Sequence, residues 1–179
     1  TANFNLGAVT VPDLLALETP GSIAQSGPIS AGTYELVTGK DAALSNLAGG
    51  TGGLSFTGKT LTLSGLNDLQ GGVVANSDSF NLQGQVQGAV VVNHGVLNGN
   101  GQAGSVIAHG NSIIYPISLT SNDSLEMVAG STYLVSMDGL NPGAGGYGQT
   151  RVQDLVILNG AVLDLVTSNS FAPSITRSF

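Results

Sequence analysis

The sequence predicts an all-β protein whose short strands stack as the coils of a β-solenoid, with a β-sandwich as the alternative. Three observations favour the solenoid. Helical periodicity is nearly absent from the 179 residues. The β-prone runs are short and are separated by Gly and Asn. Within the runs, aliphatic residues alternate with Ser, Thr, Asn or Gln and almost never with charged residues, as expected for a wall that faces a narrow core.

The β-prone runs follow one another along most of the chain, and each is bounded by a turn signal. Gly and Asn at these turns supply the positive φ values that tight turns require. In chain order the runs are Thr33–Val37, Leu54–Phe56, Thr60–Leu63, Gly72–Ala75, Ser79–Leu82, Ala89–Val92, Ser105–Ala108, Ser112–Leu119, Ser124–Val128, Thr132–Met137, Val152–Leu158 and Ala161–Val166.

Two segments depart from this pattern. Val11–Leu17, with Asp13 near its start, is the best candidate for a helix, although it is short and poorly capped. Gly139–Gln149 reads GLNPGAGGYGQ and contains no strand-forming run. It is too long for a hairpin turn, so we expect it to leave the wall as a protruding, mobile excursion.

The composition excludes several classes of protein. Only 8% of residues are charged and the net charge is −7. The cations Lys40, Lys59, Arg151 and Arg177 are scattered, which argues against nucleic acid or anionic lipid as a partner. No apolar run approaches the roughly 20 residues of a membrane helix, so we expect no membrane insertion. Without Cys, the fold depends on backbone ladders and packing.

Low charge, abundant Gly, Asn, Ser and Thr and the lack of Cys are typical of exported bacterial surface proteins. No signal peptide is recognisable at Thr1, so we expect a mature fragment. The expected localisation is therefore secreted or at the bacterial cell surface.

The segment Ala89–Val166 resembles the autotransporter-associated β-strand repeat. That pattern combines "GxLxGxGxxG", a strand with a Pro, "AGST" and a final "DxLxVxGxxxLxGAxLxL" block. The matching residues are Gly95, Leu97, Gly99, Gly101, Gly104, Pro116, Ala129-Gly130-Ser131-Thr132, Asp154, Leu155, Gly160, Ala161 and Leu163. The ending TSNSFAPSITRSF resembles the "FTPxxGxxF" that commonly follows, and the resemblance extends back to about residue 30.

The resemblance implies a right-handed parallel β-helix of passenger type on the bacterial surface, and it implies no reaction. Residues 30–179 are then solenoid repeats, the last of them incomplete. Residues 1–29 are not covered and are expected to form a cap or an exchanged strand.

The carboxylates offer two pairings for hydrolysis, which needs two acids about 5–10 Å apart. Asp154 and Asp164 are candidates for neighbouring positions on successive coils, and Asp123 and Glu126 are close in sequence. We interpret all four as solvated turn or wall residues. A β-helix lyase also needs a base or cation, which the scattered cations do not supply. We therefore expect no catalytic residues and no enzyme activity, with a β-helix lyase or hydrolase as a remote alternative.

Other candidate sites are weaker still. His94 and His109 each precede a Gly, and Asn93, Asn111 or Asp123 are the nearest further metal ligands. The oxygen-rich turns Asn122-Asp123 and Asp138 to Asn141 match no calcium loop. We expect no metal, calcium included, and no cofactor. Tyr147 is the aromatic residue expected to be most exposed.

The predicted function is that of a structural or adhesive solenoid that extends, displays or assembles, with head-to-tail fibres as one form of assembly. Its expected partners are further copies of itself or adjacent repeats of a longer chain. The alternative is a module that binds surface polysaccharide on its flat faces.

Overall fold

The computed structural model describes residues 3–167, which form 21 strands and no helix. In chain order the strands are β1 (Phe4–Leu6), β2 (Val9–Thr10), β3 (Leu14–Thr19), β4 (Ile23–Gln25), β5 (Ile29–Ser30), β6 (Thr33–Thr38), β7 (Asp41–Ser45), β8 (Gly53–Ser64), β9 (Leu66–Asn67), β10 (Val73–Leu82), β11 (Gln85–Val86), β12 (Val90–Gly99), β13 (Gln102–Ala103), β14 (Val106–Ala108), β15 (Ser112–Pro116), β16 (Ser118–Ser121), β17 (Ser124–Met127), β18 (Thr132–Met137), β19 (Gln149–Val152), β20 (Leu155–Leu158) and β21 (Val162–Thr167).

The strands stack in parallel as the walls of a β-solenoid. The first wall consists of β3, β6, the first halves of β8, β10 and β12, and then β14, β17 and β20. The second wall consists of β1, β4, β7, the second halves of β8, β10 and β12, and then β15, β18 and β21. The third wall holds the short strands β2 and β5, followed by β9, β11, β13, β16 and β19.

Each coil of the chain covers the coil before it. Val90 pairs with Val106, sixteen residues later (106 − 90), and Thr33 pairs with Gly53, twenty residues later (53 − 33). Leu125 pairs with Val156, thirty-one residues later (156 − 125), because residues 138–148 leave the wall between β18 and β19. The strand pairs of the three walls are all parallel, which overturns the sandwich alternative because sandwiches are built from antiparallel sheets.

The core is a set of inward columns that run the length of the stack. On the first wall, in register order, these columns are Leu15, Tyr34, Leu54, Val73, Val90, Val106, Leu125 and Val156, and Leu17, Leu36, Phe56, Ala75, Val92, Ala108, Met127 and Leu158. Large and small residues compensate between walls. The coil with Phe56 on its first wall has Leu61 on its second, and the next coil has Ala75 opposite Phe80, all four fully buried.

Tight corners connect the first and second walls. Ser131 is buried, and its N–H and hydroxyl both donate to the carbonyl of Val128 (3.1 and 2.6 Å). Gly130 has a φ of +85°, which only Gly adopts without strain. In the preceding coil, Ser112 makes the same two bonds to His109, with Asn111 at a φ of +67°. The "AGST" block of the sequence is therefore a corner that turns the chain between walls.

A buried amide links three coils at the third wall. Asn67 is 1% exposed. Its Oδ1 accepts the N–H of Leu47 in the coil before (3.1 Å), and its Nδ2 donates to the carbonyl of Gln85 in the coil after (3.2 Å). This side chain completes hydrogen bonding where the backbone ladder is interrupted.

The all-β solenoid prediction is confirmed, whereas the helix candidate Val11–Leu17 is wrong. Leu14–Thr19 forms strand β3 and pairs in parallel with β6 over its whole length. The described part of residues 1–29 lies in the stack itself, since β1 pairs with β4 and β2 with β5. Its role as a cap or an exchanged strand stays a prediction, and the expected incomplete repeat at Phe171–Phe179 lies outside the described residues.

Candidate functional site

The coil formed by β19, β20 and β21 exposes the side chains that other coils bury. Val156 is 49% exposed, whereas its register partner Leu125 is 4% exposed. Leu158 is 62% exposed, whereas its partner Met127 is fully buried. Within the described range, β20 and β21 pair on one side only. This coil is an apolar, unpaired edge of the solenoid.

An apolar pocket of about 260 Å³ lies at this edge. It is lined by Leu125, Tyr133, Thr150, Val152, Val156, Leu158, Ala161, Val162 and Leu163. The Tyr133 hydroxyl donates to Thr150 Oγ1 (2.8 Å), and burial raises the pKa of Tyr133. Val156 and Leu158 in this lining continue the inward columns of the first wall by one coil.

The opposite edge of the described stack is also apolar. Phe4 on β1 is 44% exposed, whereas its register partner Ile23 is 1% exposed. Leu15 on β3 is half-buried, whereas its register partner Tyr34 is 1% exposed. Among the described strands, both edges therefore present parallel strands that pair on one side only, with apolar columns in the same order of walls.

Residues 138–148 form a compact excursion anchored to the second wall. Tyr147 bridges Met137, and its N–H donates to the carbonyl of Asn141 (2.9 Å). The Gly148 N–H donates to the carbonyl of Ser136 (3.1 Å). A Cβ at Gly148 would lie 2.2 Å from the carbonyl oxygen of Pro116, so only Gly permits this close approach to β15. The segment leaves the wall as expected, although Gln149 belongs to β19, and its protrusion and mobility stay predictions.

The excursion folds over the outer face of the second wall and encloses a second pocket of about 250 Å³. It is lined by Asn98, Tyr115, Pro116, Ile117, Ser136, Asp138, Gly143, Ala144, Gly145 and Gly148. The wall contributes Asn98 and Tyr115, which are register partners on β12 and β15. The excursion contributes Asp138 and exposed glycine backbone.

The exposed aromatic residue of this region is Tyr115, not Tyr147. Tyr147 is half-buried because its backbone is held by the bridge to Met137. Tyr115 is 37% exposed because it lies between inward-facing Ile114 and Pro116 on β15. The prediction for Tyr147 was wrong. The alternation in Ser112–Pro116 is the sequence signal that identifies Tyr115 as outward.

The structure does not form the pairing of Asp154 with Asp164 that the sequence left as a candidate. Asp154 precedes β20 on the first wall and Asp164 lies in β21 on the second wall of the same coil, so a placement on successive coils is wrong. Asp154 stacks instead on Asp123, whose carbonyl accepts its N–H (3.0 Å). The Asp123 carboxylate accepts the hydroxyl of Ser105 (2.9 Å). Glu126 pairs with Ile157 on the outer face of the first wall.

The two histidines lie at one corner in successive coils. His94 follows the first-wall half of β12, and the His109 N–H donates to the carbonyl of Val92 (3.0 Å). Both are exposed. Among residues 3–167, no three His, Asp or Glu side chains gather as a metal site would require, and Asp123 lies at a different corner.

No protein-family model matches the chain, and no curated protein or solved structure matches it. The resemblance to the autotransporter-associated repeat therefore stays a prediction. Within residues 3–167 there is no helix of the length and hydrophobicity needed to cross a membrane.

Proposed function

We propose that this chain is a non-enzymatic structural segment of a secreted or surface-displayed bacterial protein, which extends by stacking further coils on its edges. The observation that carries the proposal is the unpaired edge at β20 and β21. Eight apolar side chains there are between 39% and 65% exposed. They are Leu155, Val156, Ile157, Leu158, Val162, Leu163, Leu165 and Val166.

A parallel solenoid edge fits another solenoid edge. Among the described strands, the β20–β21 edge has backbone groups that pair on one side only, and its inward side chains are apolar. The β1–β3 edge has the same features at the other end of the stack. A contact between unlike edges is head-to-tail and does not close, so it propagates as a fibre. We propose another copy, or an adjacent repeat of a longer chain, as the covering coil.

The arrangement of acids supports a non-enzymatic role. Asp154 and Asp164 lie on different walls, and the carboxylate of Asp123, on which Asp154 stacks, accepts the hydroxyl of Ser105. Catalytic acids work in pairs placed on either side of a substrate, with pKa values pushed apart by their surroundings. Asp154 and Asp164, which lie on different walls, are not placed as such a pair.

Light scattering over a concentration series tests the assembly. We expect the chain to associate with increasing concentration and to form rods visible by electron microscopy. Leu163→Lys places a charge in the edge pocket and is expected to reduce association at least about tenfold. Leu66→Lys is the matched control, because Leu66 is 70% exposed on the third wall. A chain that stays monomeric at high concentration, or two variants with equal effects, would show that copies of this chain do not stack through the edge.

The alternative function, binding of surface polysaccharide, draws support from Tyr115 and its pocket on the second wall. Aromatic rings with one exposed face suit sugar rings, which stack through their C–H groups. Binding of the full chain to a glycan array tests this function. No binding to any glycan would leave only the structural role.

A further inference from the structure

Three asparagines of the chain are followed directly by a glycine, in Asn98-Gly99, Asn100-Gly101 and Asn159-Gly160. Asparagine is one of the thermolabile residues of proteins, and a following glycine increases this lability. Because glycine has no side chain, its backbone nitrogen can approach the asparagine side chain. The approach requires the backbone between the two residues to leave the extended conformation of a strand. The local structure of each pair therefore decides whether the pair can react.

Two of the three pairs are held by neighbouring coils. Gly99 is buried in β12 and pairs with Leu82 in the coil before and with Pro116 in the coil after. The Gly101 N–H donates to the carbonyl of Leu82 (2.9 Å). A Cβ at Gly101 would collide with the carbonyl oxygen of Gly84, so the two backbones are in close contact. Neither Gly99 nor Gly101 can turn its nitrogen toward the preceding side chain without breaking contacts between coils.

The third pair, Asn159-Gly160, lies at the corner between β20 and β21, where both residues are exposed. Backbone bonds hold the chain on either side of Gly160. The Asn159 N–H donates to the carbonyl of Met127 (2.9 Å), and the Val162 N–H donates to the carbonyl of Ser131 (2.9 Å). Gly160 itself lies between the two strands and has a φ of +75°. Its nitrogen therefore belongs to an exposed turn rather than to a strand.

The reaction available to this pair is the closure of a five-membered ring. The Gly160 nitrogen attacks Cγ of the Asn159 side chain, the bond from Cγ to the amide nitrogen breaks, and ammonia leaves with the proton of the Gly160 N–H. Water then opens the resulting succinimide at either of its two carbonyls. One product is aspartate. The other is isoaspartate, in which the main chain runs through the former side-chain carbonyl and is one methylene longer.

We propose that Asn159 is a site of spontaneous deamidation and that its products close the β20–β21 edge to further coils. The second part rests on the proposed function of edge stacking. Leu158 and Ala161, on either side of the pair, line the apolar pocket at this edge. Either product places a carboxylate between them, and burial of an unpaired charge beneath a covering coil is costly. Isoaspartate also lengthens the corner that connects the two strands.

Incubation of the folded full chain in mildly alkaline buffer, followed by tryptic digestion and tandem mass spectrometry, tests the modification. Cleavage after Arg151 and Arg177 separates Asn159 from the other two sites. We expect conversion of amide to acid at Asn159 to be at least about tenfold faster than at Asn98 and Asn100, whose contacts between coils must open first. In guanidinium chloride the three rates should be similar. Equal rates in the folded chain, or the same difference in guanidinium chloride, would overturn the proposal.

Asn159→Asp and Asn159→Gln form the matched pair of variants for the effect on the edge. The first reproduces one product, whereas the second keeps the amide and reacts slowly, because its ring would have six members. Light scattering is expected to show at least about tenfold weaker association for Asn159→Asp than for Asn159→Gln. Equal association of the two variants would overturn the closing of the edge. If neither Asn159→Gln nor the unaltered chain associates, stacking between copies fails as a function, while mass spectrometry still decides the modification.

Discussion

At the scale of single residues, side chains supply hydrogen bonds where the parallel backbone ladder is interrupted. Asn67 replaces ladder hydrogen bonds between three coils, and Tyr34 does so at another corner. The Tyr34 hydroxyl donates to the carbonyl of Ala48 (2.6 Å) and accepts the N–H of Ala31 (3.0 Å). Buried polar groups are tolerated only when satisfied in this way.

Asn67→Ala is expected to lower the free energy of unfolding by about 2–3 kcal/mol, because the buried N–H of Leu47 loses its acceptor. Asn93→Ala is the matched control. Its amide also bonds between coils, to Asn76 Oδ1 (2.7 Å), but on the outer face where water replaces the bond. Urea denaturation of both variants measures the difference. Equal losses would contradict the view that burial makes the Asn67 bonds costly to remove.

Alkaline pH is expected to destabilise the fold through its buried tyrosines. Burial raises the pKa of Tyr34 and of Tyr133, so each is more readily ionised in the unfolded chain. The stabilisation is complete below the unfolded value of about 10 and is lost as the pH rises through the folded values. The midpoint of urea denaturation should therefore fall above about pH 10. Tyr34→Phe with Tyr133→Phe should flatten this fall; an unchanged slope would contradict the assignment.

The residues of the candidate site were the hardest to predict from the sequence. The alternation of inward and outward residues in Ser112–Pro116 could be predicted from the sequence. The surroundings of Tyr115 could not, because they depend on residues 138–148, which fold back over the second wall. Tyr147 was expected to be exposed because it lies in a Gly-rich loop, yet backbone bonds to Asn141 and a bridge to Met137 hold it. Long-range closure of this kind leaves no local pattern.

At the scale of elements, patterns inside strands were predictive and boundaries between walls were not. Thr132–Met137 was predicted as one run and is strand β18. Leu54–Phe56 and Thr60–Leu63 were predicted as separate runs, yet both belong to β8, which bends through two walls. Leu14–Thr19 was missed because Leu14, Leu15 and Leu17 carry no clean period; pairing with β6 decides its structure.

Deleting residues 139–147 is expected to leave the thermal midpoint nearly unchanged. The excursion begins and ends at neighbouring points, since Met137 bridges Tyr147 and the Asp138 N–H donates to the carbonyl of Gly146 (2.6 Å). Replacing this loop by a shorter connection between neighbouring points changes the conformational entropy of loop closure only slightly. Differential scanning calorimetry measures the midpoint. A large decrease would indicate that the excursion packs as part of the wall.

At the scale of the whole molecule, the stacked architecture follows from composition and pattern. Few charges, strands that alternate aliphatic and small polar residues, and Gly or Asn at each corner are sufficient to predict coils. The shorter coils, such as the one between Val90 and Val106, could not be predicted, because their length depends on how tightly each corner turns. The exposure of the edges depends on which coils lie beside them, which no local pattern encodes.

The covering of each coil by the next has a consequence for how the molecule opens. Because every ladder bond joins neighbouring coils, amide protons in the middle are released only when the layers outside them have separated. Hydrogen–deuterium exchange should therefore form a gradient, slowest around Leu61, Phe80 and Leu97, which are fully buried. It should be fastest at Leu163, 65% exposed, and at Phe4. Uniform protection would mean that the layers open together; a gradient means that the rod unravels from its edges, one layer at a time.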